Sequence, residues 1–324
     1  MTEQDVIGQM LAAGLDAPAQ PLVLNGNIQR WGRKDAHWYS LREMRTDGGT
    51  HVVVGSFGDW RTGLRQRVDV DWKGLRDDER AALESRRQAD AAAREAERVA
   101  AAAEAAMSAA ELWAGAARSG SSPYLERKLV VGEGCRYLRG GAIVVPLLRY
   151  DEHDEQGLPL LKAVQLIRPD GTKRFTRGFE KPRACLVLGP VIVGEPILVA
   201  EGYATALTLR MAVQRRLPVV VALDAGNLQP VAEMLRERYG SSKLLICADD
   251  DHQTAGNPGR HKAHLASREV SDCAYVWPVF HPANRGAKDT DFNDLHAREG
   301  ITVVRRQLRH VLPLLGSEIL NAVA

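Results

Sequence analysis

Residues 196–224 read PILVAEGYATALTLRMAVQRRLPVVVALD. Two short apolar runs, PILVA and PVVVAL, bracket YATALTLRMAVQRR, whose apolar residues recur at the spacing of one helix face. The rhythm continues downstream: LQPVAEMLRERYG predicts a helix, KLLICA a strand, residues from about Gly259 to Val270 a helix, and CAYVW a strand. Fully apolar strands alternating with amphipathic helices mark a parallel sheet covered on both faces, because each parallel crossover lays a helix on the sheet. The fold class is therefore α/β, with a parallel sheet, flanking helices and a C-terminal helix over residues 191–324.

Upstream, GAIVVPLLRY, LLKAVQLIR and ACLVLG read as strands with turns at DEHDEQG and PDGTK, which predicts a β-rich, basic subdomain over residues 119–190. SGSSP at Ser119–Pro123 ends a long helix before it. Eighteen of the 38 residues from Ala81 to Arg118 are alanine, interleaved with Arg and Glu and free of proline. Its apolar stripe is thin, so residues 76–118 read as a solvated connector or a helix lying on a neighbour. Residues 1–75, rich in Trp, Gly and β-formers, predict a small N-terminal β module with tight glycine turns. Trp31, Trp38 and Trp60 fit the core of such a module better than a base-stacking surface.

With 324 residues, 45% hydrophobic and 26% charged, and a mean hydropathy of −0.25, the chain has the composition of an ordinary globular protein of about two domains. No stretch reaches the ~18 uncharged apolar residues of a membrane helix, and MTEQDVIGQM lacks the regions of a signal peptide. The expected location is cytoplasmic, with no membrane partner. A net charge of +2 means that any nucleic-acid role must rest on local patches. Cys135, Cys185, Cys247 and Cys273 form no CxxC pair, which speaks against a zinc ribbon or a redox dithiol and for buried small apolar residues in a reducing compartment. His261 and His264 lie three apart on an expected helix without further ligands nearby in sequence. No GxxxxGK[ST] loop occurs in these residues, so unwinding of DNA would fall to a partner.

Three strands run directly into an acid: ILVA into Glu201, VVVAL into Asp224 and LLICA into Asp249. The carboxyl ends of an open parallel sheet form its ligand crevice, so these acids can converge. Convergent carboxylates repel unless neutralised, and a hard divalent cation such as Mg²⁺ is the usual partner. Within Asp249-Asp250-Asp251, residues i and i+2 of an extended segment point the same way, so Asp249 and Asp251 can share a metal while Asp250 points elsewhere. KDTDFNDL adds Asp289, Asp291 and Asp294, whereas Asp224, before Ala-Gly-Asn, reads as a cap. Residues 162–183 hold seven Lys/Arg against two acids, and Lys173, Arg174, Arg177 and Lys181 are candidates to grip nucleic-acid or nucleotide phosphates.

In their order, EGYATALTL, ALDAGN, ICADDD with GNPGRHKA, and KDTDFNDLHAREG resemble the Toprim domain, the topoisomerase–primase fold. The spelling is similar to DNA primases of phages and plasmids, including the primase parts of primase–helicase proteins. The resemblance covers about Gly189 to Gly300 and extends more weakly through DGTKRFTRGFEKP and FGDWRTG. It implies that Glu201 serves as acid/base or metal-organising carboxylate, that Asp249 and Asp251 hold Mg²⁺ or Mn²⁺, and that Asp289 and Asp291 complete a second metal position. The implied activity is metal-dependent synthesis of short RNA primers from nucleoside triphosphates on a single-stranded DNA template. Its setting would be phage or plasmid DNA replication, with a replicative helicase supplied in trans. With no cysteine pair in these residues, they are not expected to include the zinc-binding module common at the front of such primases. Two other classes stay open: a Toprim-type nuclease acting on DNA, and a non-catalytic nucleic-acid-binding accessory protein of replication.

Overall fold

Alternation of apolar and polar residues folds the first part of the chain into an antiparallel meander. Strands β1 (Gln29–Trp31), β2 (His37–Arg45), β3 (His51–Asp59) and β4 (Leu64–Arg67) pair in that order. Tyr39, Leu41, Val53 and Phe57 lie on one face, buried with Val6, Ile7 and Met10 of helix α1 (Glu3–Ala12). Trp38 lies on the other face, 7% exposed, stacked against Trp60 with ring centroids 5.2 Å apart. Trp60 follows the last residue of β3 and is 54% exposed, so the expectation of a core indole fails there.

The structure, a computed structural model, describes residues 3–45, 51–69 and 77–320. The expected border between module and helix, at residues 75 and 76, lies outside the described residues. The chain divides into two units, Met1–Ala96 and Glu97–Ala324. Helix α2 (Asp77–Gly115) begins in the first and ends in the second.

In the second unit the end of α2 lies on a neighbour, one of the two outcomes its thin stripe allowed. Ala109 and Ala116 are buried with Val144 and Val164, and Leu112 and Trp113 pack beside them. After α3 (Pro123–Arg127), strands β5 (Arg136–Tyr137), β6 (Ile143–His153), β7 (Pro159–Ile167) and β8 (Lys173–Phe175) form an antiparallel sheet under this helix. The Arg136 guanidinium sits 4.3 Å from the centre of the Trp113 ring and donates to the Trp113 carbonyl at 2.6 Å.

The last sheet runs β13-β12-β10-β11-β9, built from β9 (Leu186–Leu188), β10 (Ile197–Ala200), β11 (Val219–Val221), β12 (Leu244–Cys247) and β13 (Cys273–Val276). The four later strands are parallel, as the alternating pattern predicted. Strand β9, from the ACLVLG segment read with the upstream β-rich region, pairs antiparallel with β11 at the edge of this sheet. A bridge between Leu148 and Cys185 ties that edge to β6. Strand alternation sorts the core: Leu198, Ala200, Leu245 and Cys247 face α4 (Tyr203–Ala212), α7 (Phe292–Glu299) and α8 (Ile301–Val311). Ile197, Val199, Leu244 and Ile246 face α5 (Leu228–Arg238) and α6 (Pro258–Glu269). Helix α4 stops short of QRR because Gln214 and Arg215 take positive φ, 52° and 58°, and turn the chain toward β11.

Cys135, Cys185 and Cys247 are buried, Cys273 is half-buried, and none is in a disulfide. Among the described residues no helix is long and apolar enough to cross a membrane.

Asn227 stitches the approach of β9 to the end of β11. It is 1% exposed; its Nδ2 donates to the Ala184 and Ala222 carbonyls, both at 2.9 Å, and its Oδ1 accepts from the Arg183 amide at 3.0 Å. Asn227→Ala leaves those groups unpaired and is expected to lower the unfolding free energy by about 2 kcal/mol. A denaturant titration checks this, with an unchanged midpoint as the contrary result.

Candidate active site

The sheet order places β10 between β12 and β11, so the residues that follow these strands meet at one edge. Glu201 follows β10, Asp224 follows β11, and Asp249 to Asp251 follow β12. Asp291 joins them from the N-cap of α7, where its Oδ1 accepts from the Asp294 amide at 2.8 Å and its Oδ2 from the Thr205 hydroxyl of α4 at 2.9 Å.

Electrostatics record how closely these groups sit. Burial, then the Asp251 carboxylate, pushes Glu201 up to about 7; Asp224 and Asp291 add to this, and hydrogen bonding from the Asp249 backbone opposes it. Asp249 is raised well above the carboxylate range by burial and by Glu201, Asp291 and Asp251, with Lys173 opposing. Asp291 is raised by burial and by Asp294, against Lys128 and Thr205. The Oε1 of Glu201 and the Oδ1 of Asp249 are buried without any hydrogen-bond donor. Hard oxygen donors left unsatisfied in a mutually repelling cluster suit a divalent cation. Among the described residues, however, no three carboxylate, imidazole or thiol groups are already drawn together around one cation-sized position.

Three of the aspartates have other partners. Asp250 turns away, as the alternation predicted, to Arg285 at 2.8 Å, Arg260 at 3.5 Å and the side-chain Nδ2 of Asn257 at 2.6 Å. Asp289 accepts from Arg298 Nε and from the Gly286 amide, both at 2.7 Å, which hold its carboxyl below the usual range. Asp224 caps the turn at 225–227 and binds Lys181 Nζ at 2.6 Å.

The basic candidates divide. Lys173 is open to solvent at the lip of a concavity crowded with protein; partial desolvation lowers its pKa, while Asp291 and Asp249 hold it up. Arg174 pairs across the sheet with Leu166 and by strand alternation points to the opposite face from Lys173. Arg177 is exposed. Beside the carboxylates a cleft of 510 Å³ is lined by Arg127, Lys128, Lys173 and Arg298 and also by Asp170, Asp289 and Asp294.

Sequence reasoning missed the residues that hold this frame. Asn257, in left-handed conformation at φ 42°, accepts from the Asp251 amide at 2.9 Å. The Gly259 amide donates to Asp251 Oδ2 at 2.9 Å, and a Cβ at Gly259 would come within 2.5 Å of the Asp249 carbonyl. Asn-Pro-Gly ahead of a helix was the available signal, as an N-cap followed by a proline in the first turn. Nothing in the sequence marked Arg285, which reaches Asp250 and the Asp289 carbonyl from a loop.

Residues 196–302 match the family model described as the Toprim domain, which bears out the likeness read from the motifs. A DNA primase TraC of Escherichia coli is 41% identical over 126 residues, which make up 37% of this chain and 12% of that protein. A second DNA primase TraC of Escherichia coli is 37% identical over 127 residues, 37% of this chain and 9% of that protein. The chain thus spans about a tenth of the length of the curated relatives it matches. The crystal structure of the primase fragment of the bacteriophage T7 primase–helicase protein aligns with a TM-score of 0.37 at 14% identity, covering 57% of this chain and 69% of that one.

Because the pKa values of Glu201, Asp249 and Asp291 rise on folding, the native chain keeps protons that the unfolded chain has released. In chelator, this contribution to stability is full below the ordinary carboxylate range and is lost as pH rises through about 7, the value for Glu201. The melting temperature in EDTA is expected to fall between pH 5 and pH 8, and to fall less in Glu201→Gln. Mg²⁺ at pH 8 is expected to raise it in the wild type more than in Asp249→Asn. A flat profile with no response to Mg²⁺ would contradict the cluster.

Proposed function

We propose that this chain, which carries a Toprim domain over residues 196–302, is a DNA primase that makes short RNA primers on single-stranded DNA. The observation that carries the reading is the convergence of Glu201, Asp249, Asp251 and Asp291, with Lys173 facing them from another sheet. Glu201, Asp249 and Asp251 would hold Mg²⁺ or Mn²⁺, whose chemistry when bound is to neutralise charge on the transferring phosphoryl group and on the departing pyrophosphate. A second cation position with Asp289 and Asp291 would require Arg298 to release Asp289.

The chain's own groups do the remaining tasks. Glu201, where it is not itself a cation ligand, would accept the proton of an attacking 3′-hydroxyl. Lys173, with Lys128 and Arg127 in the adjoining cleft, would hold the triphosphate of the incoming nucleotide and fix its direction. Asp291 anchors α7 against α4 and adds negative charge behind Asp249. In this reading residues 119–190 supply the basic wall and residues 191–324 the carboxylates. The template is single-stranded DNA, and a replicative helicase working in trans would expose it in phage or plasmid replication.

The test is incorporation of labelled ribonucleotides on unprimed single-stranded DNA with Mg²⁺ or Mn²⁺. Wild type is expected to make short products, and the Asp249→Ala/Asp251→Ala variant to lose at least ~100-fold of that synthesis. A cut template without synthesis would replace the reading with a nuclease. Equal priming by both chains, or no product and no cut, would overturn it.

A further inference from the structure

The N-terminal sheet carries a second surface that needs no carboxylate chemistry. Arg30, Trp38, Gly58 and Arg65 are direct cross-strand partners in β1 to β4 and therefore share one face. It is the face away from Phe57, Leu41 and the helix α1. Gly58 is tightly covered: a Cβ there would meet the Leu64 carbonyl, and Trp38 Nε1 at 3.0 Å. That lets the Trp38 indole lie on the sheet as a floor for Trp60, 5.2 Å above it and inclined by 29°.

Trp60 is held rather than loose. Its amide donates to the Ala36 carbonyl at 2.9 Å, one side of its ring faces Trp38, and the Arg30 guanidinium stands 5.8 Å from its centre. The indole is nevertheless 54% exposed. Around it the stretch WRTGLRQR, residues 60–67, brings three arginines and no acid. Arg65 and Arg67 are exposed, and neither has an ion-pair partner among the described residues; Arg67 pairs across the sheet with Ser56, on the same face as Arg65. Asp59 is buried and accepts from the Arg61 amide at 2.6 Å, and farther along the Trp38 face Asp90 of α2 is paired with Arg42 at 2.8 Å.

We propose that this face binds single-stranded nucleic acid, with an unpaired base stacked on Trp60 and the neighbouring phosphates held by Arg65 and Arg67. A rigid exposed indole offers any base a π-face, and its surrounding cations match a phosphate backbone. In a duplex the bases are already stacked and enclosed, so the indole selects unpaired strands. The inference stands apart from the priming reading, since it requires neither metal nor catalysis.

The test uses the full chain in EDTA with fluorescein-labelled oligothymidylate, followed by anisotropy and by quenching of tryptophan emission. Trp60→Ala is expected to weaken binding by about tenfold, and Trp60→Tyr to restore most of it. The double variant Arg65→Ala/Arg67→Ala is expected to flatten the dependence of log affinity on log salt by about 1.4. An abasic strand of equal length is expected to bind wild type and Trp60→Ala alike. Equal loss on the abasic strand, equal dependence on Trp60 with duplex DNA, or wild-type affinity in Trp60→Ala would each overturn the proposal. A chain that primes but whose Trp60→Ala form binds as wild type removes this inference alone; a chain that quenches on the strand but does not prime removes only the priming reading.

Discussion

Carboxylates that repel one another can be kept together only by a scaffold stiffer than their repulsion, and in this chain the scaffold is main chain. Strands β10 and β12 are wholly apolar and wholly buried, so the positions of their last residues are fixed by packing on both faces. Beyond β12 the frame passes to the start of α6. There Asn257 and the Gly259 amide grip Asp251, and Gly259 admits the Asp249 carbonyl where no side chain would fit. Asp291 is fixed in the same manner, by the first turn of its own helix and by Thr205.

The two halves of the candidate site come from different sheets. Acids arrive at the carboxyl ends of parallel strands, whereas Lys173 opens an antiparallel strand. The two sheets share one buried core, with Ile143, Val145 and Ile167 packed in the same cluster as Leu198, Ala200 and Tyr203, and at their margin they meet through the Leu148–Cys185 bridge, the edge strand β9 and Asn227. Arg183 closes it on the outside by pairing with both Asp151 and Glu237. Lys173 and the strand-end carboxylates are thus held at a fixed offset by a shared apolar core and by buried hydrogen bonds.

Much of this was legible in the residues. Apolar tetrads such as ILVA and LLIC leave no polar face, so they announced central parallel strands, and the acids directly after them announced the edge where carboxylates gather. The turning away of Asp250 followed from strand alternation alone. What could not be read depends on contacts distant in sequence: that ACLVLG pairs with β11, that Arg298 occupies Asp289, and that Trp60 stands outside while Trp38 lies beneath it. Composition marks an indole as apolar, but only the path of the chain after β3 decides whether it is covered.

The four cysteines follow from the same packing. Burial raises the thiol pKa of Cys135, Cys185 and Cys247, and pushes Cys273 up to about 12. Attack on an electrophile requires the thiolate, which these sites disfavour at neutral pH. Burial of Cys135, Cys185 and Cys247 and the raised thiol pKa values work against fast reaction with maleimides and mild oxidants in the folded chain. A single cysteine placed on an exposed strand is expected to react ahead of the native thiols, so a dye or cross-linker could be directed to a chosen point.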